Sequence, residues 1–197
     1  YNIKLENGVL TLNNATIKYA PVSDYHNGAV SADGTLTIEL AAGTVNTITN
    51  TSSNSGISAW NCGIYVNKGP LTITGSGSLT ATGGGGQSSH GISVDHGTLI
   101  VDGAAVTANG GNAAGSSGIY TGNNLEMKNG ANVTAVGGTA SSGTSRGIEC
   151  SGSITITNSS GSASGKSVAM TKSPTMNGAV ITSGSYSTTS VTWTASN

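Results

Sequence analysis

Eight carboxylates, three histidines, one arginine and two cysteines are the side chains that could carry acid–base, nucleophilic or metal chemistry in this sequence. Cleavage of a glycosidic bond needs two carboxyl groups facing each other across it, about 5 to 10 Å apart. Glu6, Asp24, Asp33, Glu39, Asp95, Asp102, Glu126 and Glu149 contain no adjacent pair. Calcium-assisted proton abstraction needs clustered acidic ligands beside a basic residue, and Arg146 is the sole arginine. Asp95 reads as a turn residue, and Asp102 as a surface neighbour of Lys128. No catalytic residue is therefore assigned and the chain reads as a non-enzyme. No cofactor or metal is assigned either, although outward Asp and Asn at turns could hold Ca²⁺ without any spacing motif.

Residues suited to binding recur more regularly. Gly-Ile pairs stand at 63, 91, 118 and 147, spaced 28, 27 and 29 residues apart, and a fixed period of that size signals a solenoid. One residue beyond each pair stand Tyr65, Ser93, Tyr120 and Glu149; just before each stand Cys62, His90, Ser117 and Arg146. Tyr65 and Tyr120 should project outward two coils apart, roughly 9.6 Å at the usual strand spacing. Flat rings at that pitch could stack on the sugars of an extended glycan, with Ser93, Glu149, His90 and Arg146 supplying polar contacts. Trp60, expected on a long polar loop from Thr47 to Asn61, is a further candidate for the same carbohydrate-binding face.

The elements that must position these residues are short strands. Alternation at period two places Ile64 and Val66 inward on a first strand, Leu71 and Ile73 on a second, and Leu79 and Ala81 on a third. The same spelling returns in later coils. Three strands per coil of about 28 residues predict an all-β, right-handed parallel β-helix. About six coils are expected, in one domain. Residues 1–173 form the solenoid, with an irregular first coil or cap over about 1–27, and 174–197 form a final strand, turn and C-terminal cap. Gly28 is aligned with Gly91, and Val191 to Thr194 reads as an edge strand.

Charged residues are 8% of the chain and its net charge is −1, which argues against nucleic acid as a partner. No run approaches the roughly 18 apolar residues of a membrane span, so membrane insertion is not expected. Nothing in the spelling sets an oligomeric state. Cys62 and Cys150 should lie about three coils, or roughly 14 Å, apart, beyond the roughly 7 Å limit for a disulfide. Both are read as free buried thiols. The opening Tyr1-Asn2-Ile3 carries no charged-then-apolar leader, as expected for a trimmed piece of a longer chain. Thr80, Thr107 and Thr134 should form an outward ladder similar to a flat ice-binding face, but the companion column breaks where Thr82 gives way to Asn109 and Val136.

The strings Gly-Pro-Leu-Thr-Ile-Thr-Gly-Ser-Gly-Ser-Leu-Thr-Ala-Thr-Gly-Gly at 69–84, Gly-Thr-Leu-Thr-Ile-Glu-Leu at 34–40 and the Gly-Ile-Tyr units carry a resemblance across roughly residues 8 to 190. They resemble the β-helix repeats of large bacterial cell-surface proteins, especially of Gram-positive gut and cellulolytic bacteria. Some of these are grouped as carbohydrate-binding domains with a pectate-lyase-like fold. The resemblance implies an exported protein, extracellular or cell-wall attached, with a polysaccharide or glycan ligand. His90-Gly91-Ile92-Ser93 is faintly similar to the Gly-His-Gly segment of polygalacturonases, whose Asp pair and Arg-x-Lys segment have no match here. The expected function is thus a non-catalytic carbohydrate-binding or adhesin-type module. The alternatives are a structural spacer or, with less support, a polysaccharide lyase or hydrolase.

Overall fold

In each repeat, apolar side chains alternate with small polar ones over four to six residues and a turn follows, so the backbone extends, bends and extends again. The computed structural model describes residues 2–21, 25–53 and 59–196, and every regular element among them is a strand. In chain order they are β1 (Ile3–Glu6), β2 (Val9–Leu12), β3 (Thr16–Tyr19), β4 (Asn27–Ala32), β5 (Leu36–Leu40), β6 (Val45–Asn50), β7 (Asn61–Val66) and β8 (Leu71–Thr74). Next come β9 (Ser78–Thr82), β10 (Gly86–Val94), β11 (Leu99–Asp102), β12 (Ala105–Asn109), β13 (Ala113–Thr121), β14 (Leu125–Lys128) and β15 (Asn132–Val136). The series ends with β16 (Ser145–Cys150), β17 (Ile154–Thr157), β18 (Ser160–Ser164), β19 (Val168–Met170), β20 (Thr175–Asn177), β21 (Ala179–Gly184) and β22 (Ser190–Ala195).

Every third strand stacks on its predecessor. The first sheet runs β4-β7-β10-β13-β16-β19, the second β1-β2-β5-β8-β11-β14-β17-β20, and the third β3-β6-β9-β12-β15-β18-β22-β21. This is a parallel β-solenoid: five complete coils span β4 to β18, with partial coils at both ends. No helix among the described residues is long and apolar enough to cross a membrane. The inward columns are those the alternation predicts. Ile64, Ile92, Ile119 and Ile148 stack in the first sheet, and Leu71, Leu99, Leu125 and Ile154 in the second. All are fully or almost fully buried; each such side chain contributes roughly 1.5–3 kcal/mol by leaving water.

The recurring glycine has a steric cause. A Cβ on Gly63 would sit 2.8 Å from Thr82 N, one on Gly91 2.5 Å from Asn109 N, one on Gly118 2.5 Å from Val136 N, and one on Gly147 2.6 Å from Ser164 N. Thr82, Asn109, Val136 and Ser164 end the third strand of the same coil. The glycine is thus where each coil's exit passes against its entry, and a side chain there would force the backbones apart. Ser89, Ser116 and Ser145, two residues earlier, form a buried ladder. The Oγ atoms of Ser89 and Ser116 accept hydrogen bonds from Gly111 N (2.8 Å) and Gly138 N (3.0 Å), fastening the exit of each coil to its own entry.

Several expectations are corrected. Val30 pairs with Ile64, so Gly28 stands opposite Cys62 and not on the Gly63 and Gly91 rung; the turn after β4 is one residue shorter. Thr47 to Asn50 belong to β6, not to a loop. Asn46 and Asn50 take inward places there, and their amides are satisfied by the main chain: Asn46 Nδ2 donates to Ser78 O and Asn50 Nδ2 to Cys62 O. Polar inward residues hid that strand. Asn158 to Lys166 is not degraded structure either, since it contains β18, in which Gly161 takes the inward place of Val133 and is covered by the buried Trp193 of β22. β22 is accordingly an inner strand, and β21 forms the edge. The threonine ladder is longer than expected, running Thr16, Thr47, Thr80, Thr107 and Thr134 before Ser162. Its companion column breaks at Asn109 and Val136 as read.

Gly118→Ala should lower stability by about 1–3 kcal/mol through overpacking. Gly34→Ala, whose added methyl would meet only Lys68 O at 3.8 Å, should leave the urea midpoint nearly unchanged. Equal midpoints in the two variants would remove the coil-closure argument.

Candidate functional site

The kink at each Gly-Ile pair brings the residue before the glycine and the residue after the isoleucine to the same outer side of the first sheet. Arg146 Nη1 accordingly lies 2.9 Å from Glu149 Oε1, and Ser117 Oγ donates to Glu149 Oε2 at 2.8 Å. Cys62 lies against Ser93 in the same way. The predicted columns exist: Tyr65, Ser93, Tyr120 and Glu149 are register partners, as are His90, Ser117 and Arg146.

These columns are not the open platform expected. Tyr65 is 8% exposed, His90 5% and Ser93 0%, while Tyr120, Arg146 and Glu149 are half-buried. The cover is aromatic. Trp60 stacks on His26 with centroids 4.1 Å apart and planes 14° apart, and meets Tyr120 and His90 edge to face at 4.9 and 5.1 Å. His26 in turn stands edge-on to Tyr65 at 5.7 Å, with Nδ1 3.2 Å from the Tyr65 hydroxyl. Five rings thus form one cluster over the sheet. Their mutual packing contributes about 0.5–1.5 kcal/mol per aromatic pair beyond the area buried.

Sequence reasoning missed His26, Tyr25 and the reason Trp60 stands where it does. Asn27 pairs with Asn61, Trp60 bridges to Ser88, and Ser88 pairs with Gly115. His26, Trp60, Ser88 and Gly115 are therefore successive rungs of one column, each just ahead of the inner rung Asn27, Asn61, Ser89, Ser116. The signal was present as His26-Asn27 and Trp60-Asn61.

Two cavities flank the His26–Trp60 stack. An open cleft of about 520 Å³ is bounded by Tyr25, His26, Ser31, Asp33, Tyr65 and Asn67. Tyr25 presents most of its ring there, 73% exposed. Asp33 accepts a 2.6 Å hydrogen bond from Asn67 Nδ2 and lies 3.8 Å from Lys68 Nζ. A smaller cavity of about 150 Å³ lies between Trp60, His90, Ser116, Tyr120, Arg146 and Glu149.

Electrostatics favour neutral donors and acceptors here. Burial, assisted by the nearby Asp95 carboxylate, pushes the Tyr65 hydroxyl up to about 12, and burial raises Tyr120 as well. Burial also pushes the Cys62 thiol up to about 12, leaving it protonated and unreactive. Cys62 and Cys150 are free and buried. Asp95 lies 3.4 Å from His96 Nδ1 and 3.9 Å from His26 Nδ1. Among the described residues no group of three or more His, Cys, Asp or Glu is placed to hold a metal ion. The turn carboxylates Asp33 and Asp102 are engaged by Asn67 and Asn129 and by the lysines Lys68 and Lys128. Asp24 lies outside the described residues.

Burial pushes His90 down to about 3, with the positive charges of His26 and Arg146 adding to the effect, and burial also lowers His26. The His90 ring stays neutral in the fold at pH values where an unfolded histidine, near 6.5, takes a proton. Its contribution is intact above about pH 6.5 and is lost as pH falls from there toward 3. The urea midpoint of the wild type should therefore drop between pH 7 and pH 4. The drop should be smaller in His90→Gln; parallel losses in the two proteins would refute the assignment to His90.

No family model, curated protein or solved structure matches the chain, so the chemistry of this face rests on its own residues.

Proposed function

We propose that this solenoid is a non-catalytic carbohydrate-binding or adhesin-type module of a bacterial surface protein, working outside the cell or attached to its wall. The observation that carries the reading is the open cleft of the first sheet, where the exposed Tyr25 ring stands beside Tyr65, His26 and the Asp33–Asn67 pair. Glycan sites combine such parts: an apolar ring surface for the C–H face of a sugar, and fixed donors and acceptors for its hydroxyls. Asp33 can accept from a hydroxyl while Asn67 and Lys68 orient it. Tyr65, held protonated, can donate.

A lyase or hydrolase would need a second carboxylate or a strong base in the cleft. Asp33 is the one carboxylate lining it among the described residues, and it is already engaged by Asn67 and Lys68. A pure spacer has no use for an exposed tyrosine above a cleft. The resemblance of the repeats to bacterial surface β-helices supports the extracellular setting.

A glycan array covering plant wall polymers and mucin sugars should give saturable binding to one class. Tyr25→Ala and Asp33→Ala should each weaken it about tenfold, or ~1.4 kcal/mol, with an unchanged circular dichroism spectrum. A blank array from folded protein would end the carbohydrate reading and leave the spacer.

A further inference from the structure

The 150 Å³ cavity exists because a column runs out of side chain. His26 and Trp60 fill two successive rungs of the outer column with stacked rings, whereas the next two rungs are Ser88 and Gly115. The space left open has Trp60 and Tyr120 as ring walls, His90 and Ser116 below, and the Arg146–Glu149 pair at its side. At roughly 30 Å³ per water, it holds about five waters, a space on the scale of one small ring. His90 is almost fully buried and packs edge to face against Trp60, so it closes the floor of the cavity.

We infer that this vacant rung is a subsite for a single neutral pyranose, separate from the open cleft and recognised by Arg146 and Glu149 against the rings of Trp60 and Tyr120, with His90 as its floor. The inference rests on the carbohydrate-binding reading and narrows its ligand. Neutrality follows from the paired side chains. Arg146 offers further N–H donors beyond the one facing Glu149, and each Glu149 oxygen keeps a lone pair beyond its present partner. Together they match a vicinal diol, which needs an acceptor and a donor side by side. Because the Arg146–Glu149 pair is neutral as a whole, it offers no surplus cation to a uronate carboxylate and no surplus anion to an amino sugar's ammonium. The His26–Trp60 stack divides the cavity from the cleft, so the pocket takes a chain end or side branch and not a continuous chain.

The test fills the rung. A Cβ added at 115 would meet only Thr144 O, at 4.0 Å, and the ring beyond it would enter the vacant rung, so Gly115→Trp should fold; Ser88→Trp is the second variant. The probes are methyl glycosides of neutral hexoses and of hexuronic acids, read by saturation-transfer NMR and by Trp60 fluorescence. Wild type should bind a neutral hexoside at least tenfold better than its uronate counterpart. Either filling variant should abolish hexoside binding while the array signal that depends on Tyr25 persists. Glu149→Gln should shift preference toward the uronate. Hexoside binding unchanged in a folded filling variant overturns the subsite and leaves the cleft reading standing. Absence of any glycan binding by wild type overturns both.

Discussion

Backbone contact at the seam of each coil is the constraint on which the rest of this protein depends. The end of the third strand passes within contact distance of the first strand at Gly63, Gly91, Gly118 and Gly147. Only hydrogen fits between them. That approach closes a narrow triangular section, and the narrowness sets the core, since Leu, Ile and Val fill the columns and Ala81, Ala108, Ala135 and Ala163 fill the tightest one. The chain has no Phe at all, in keeping with a section that has little room for a ring. Trp193, a fully buried ring, lies in the closing hairpin, where Gly161 makes space for it.

The glycine seam also shapes the outer surface. By interrupting the alternation, it puts residues on both sides of the kink onto the same face, so Arg146 meets Glu149 and His90 meets Tyr120. The first sheet thus collects two outer columns from one strand and gains a third from the residues just ahead, His26 and Trp60. The other two sheets keep simple alternation and stay plain. The second carries scattered charges such as Asp102 and Lys128, and the third a run of threonines. The three faces are built on one backbone yet differ in chemistry because only one contains the kink.

Polar groups inside the solenoid follow the satisfaction rule that buried donors and acceptors find partners. Asn46 and Asn50 bond to main chain of the next coil, and the Thr121 hydroxyl bonds to Gly97 O and Asn124 O. These side chains stand in for the hydrophobic stack without opening it. His90 Nδ1 and Trp193 Nε1 are among the buried atoms of the described residues that lack such a partner.

Periodicity by itself determined the strands, their three-sheet stacking and the inward columns, because a period of two within a period of about 28 leaves one way to bury Ile64, Leu71 and Leu79 together. It also aligned Tyr65 with Tyr120 and His90 with Arg146, since register follows from counting. What it left undecided was exposure. Whether an outward residue meets water depends on segments from other coils, and only the tertiary structure showed His26 and Trp60 lying over Tyr65 and His90. β6 and β18 were hidden because Asn46, Asn50 and Gly161 occupy inward places that a hydrophobic pattern does not mark. The cavity over Ser88 and Gly115 was likewise invisible, because a space bounded by Trp60, Tyr120 and Arg146 is made by three coils and spelled by none of them.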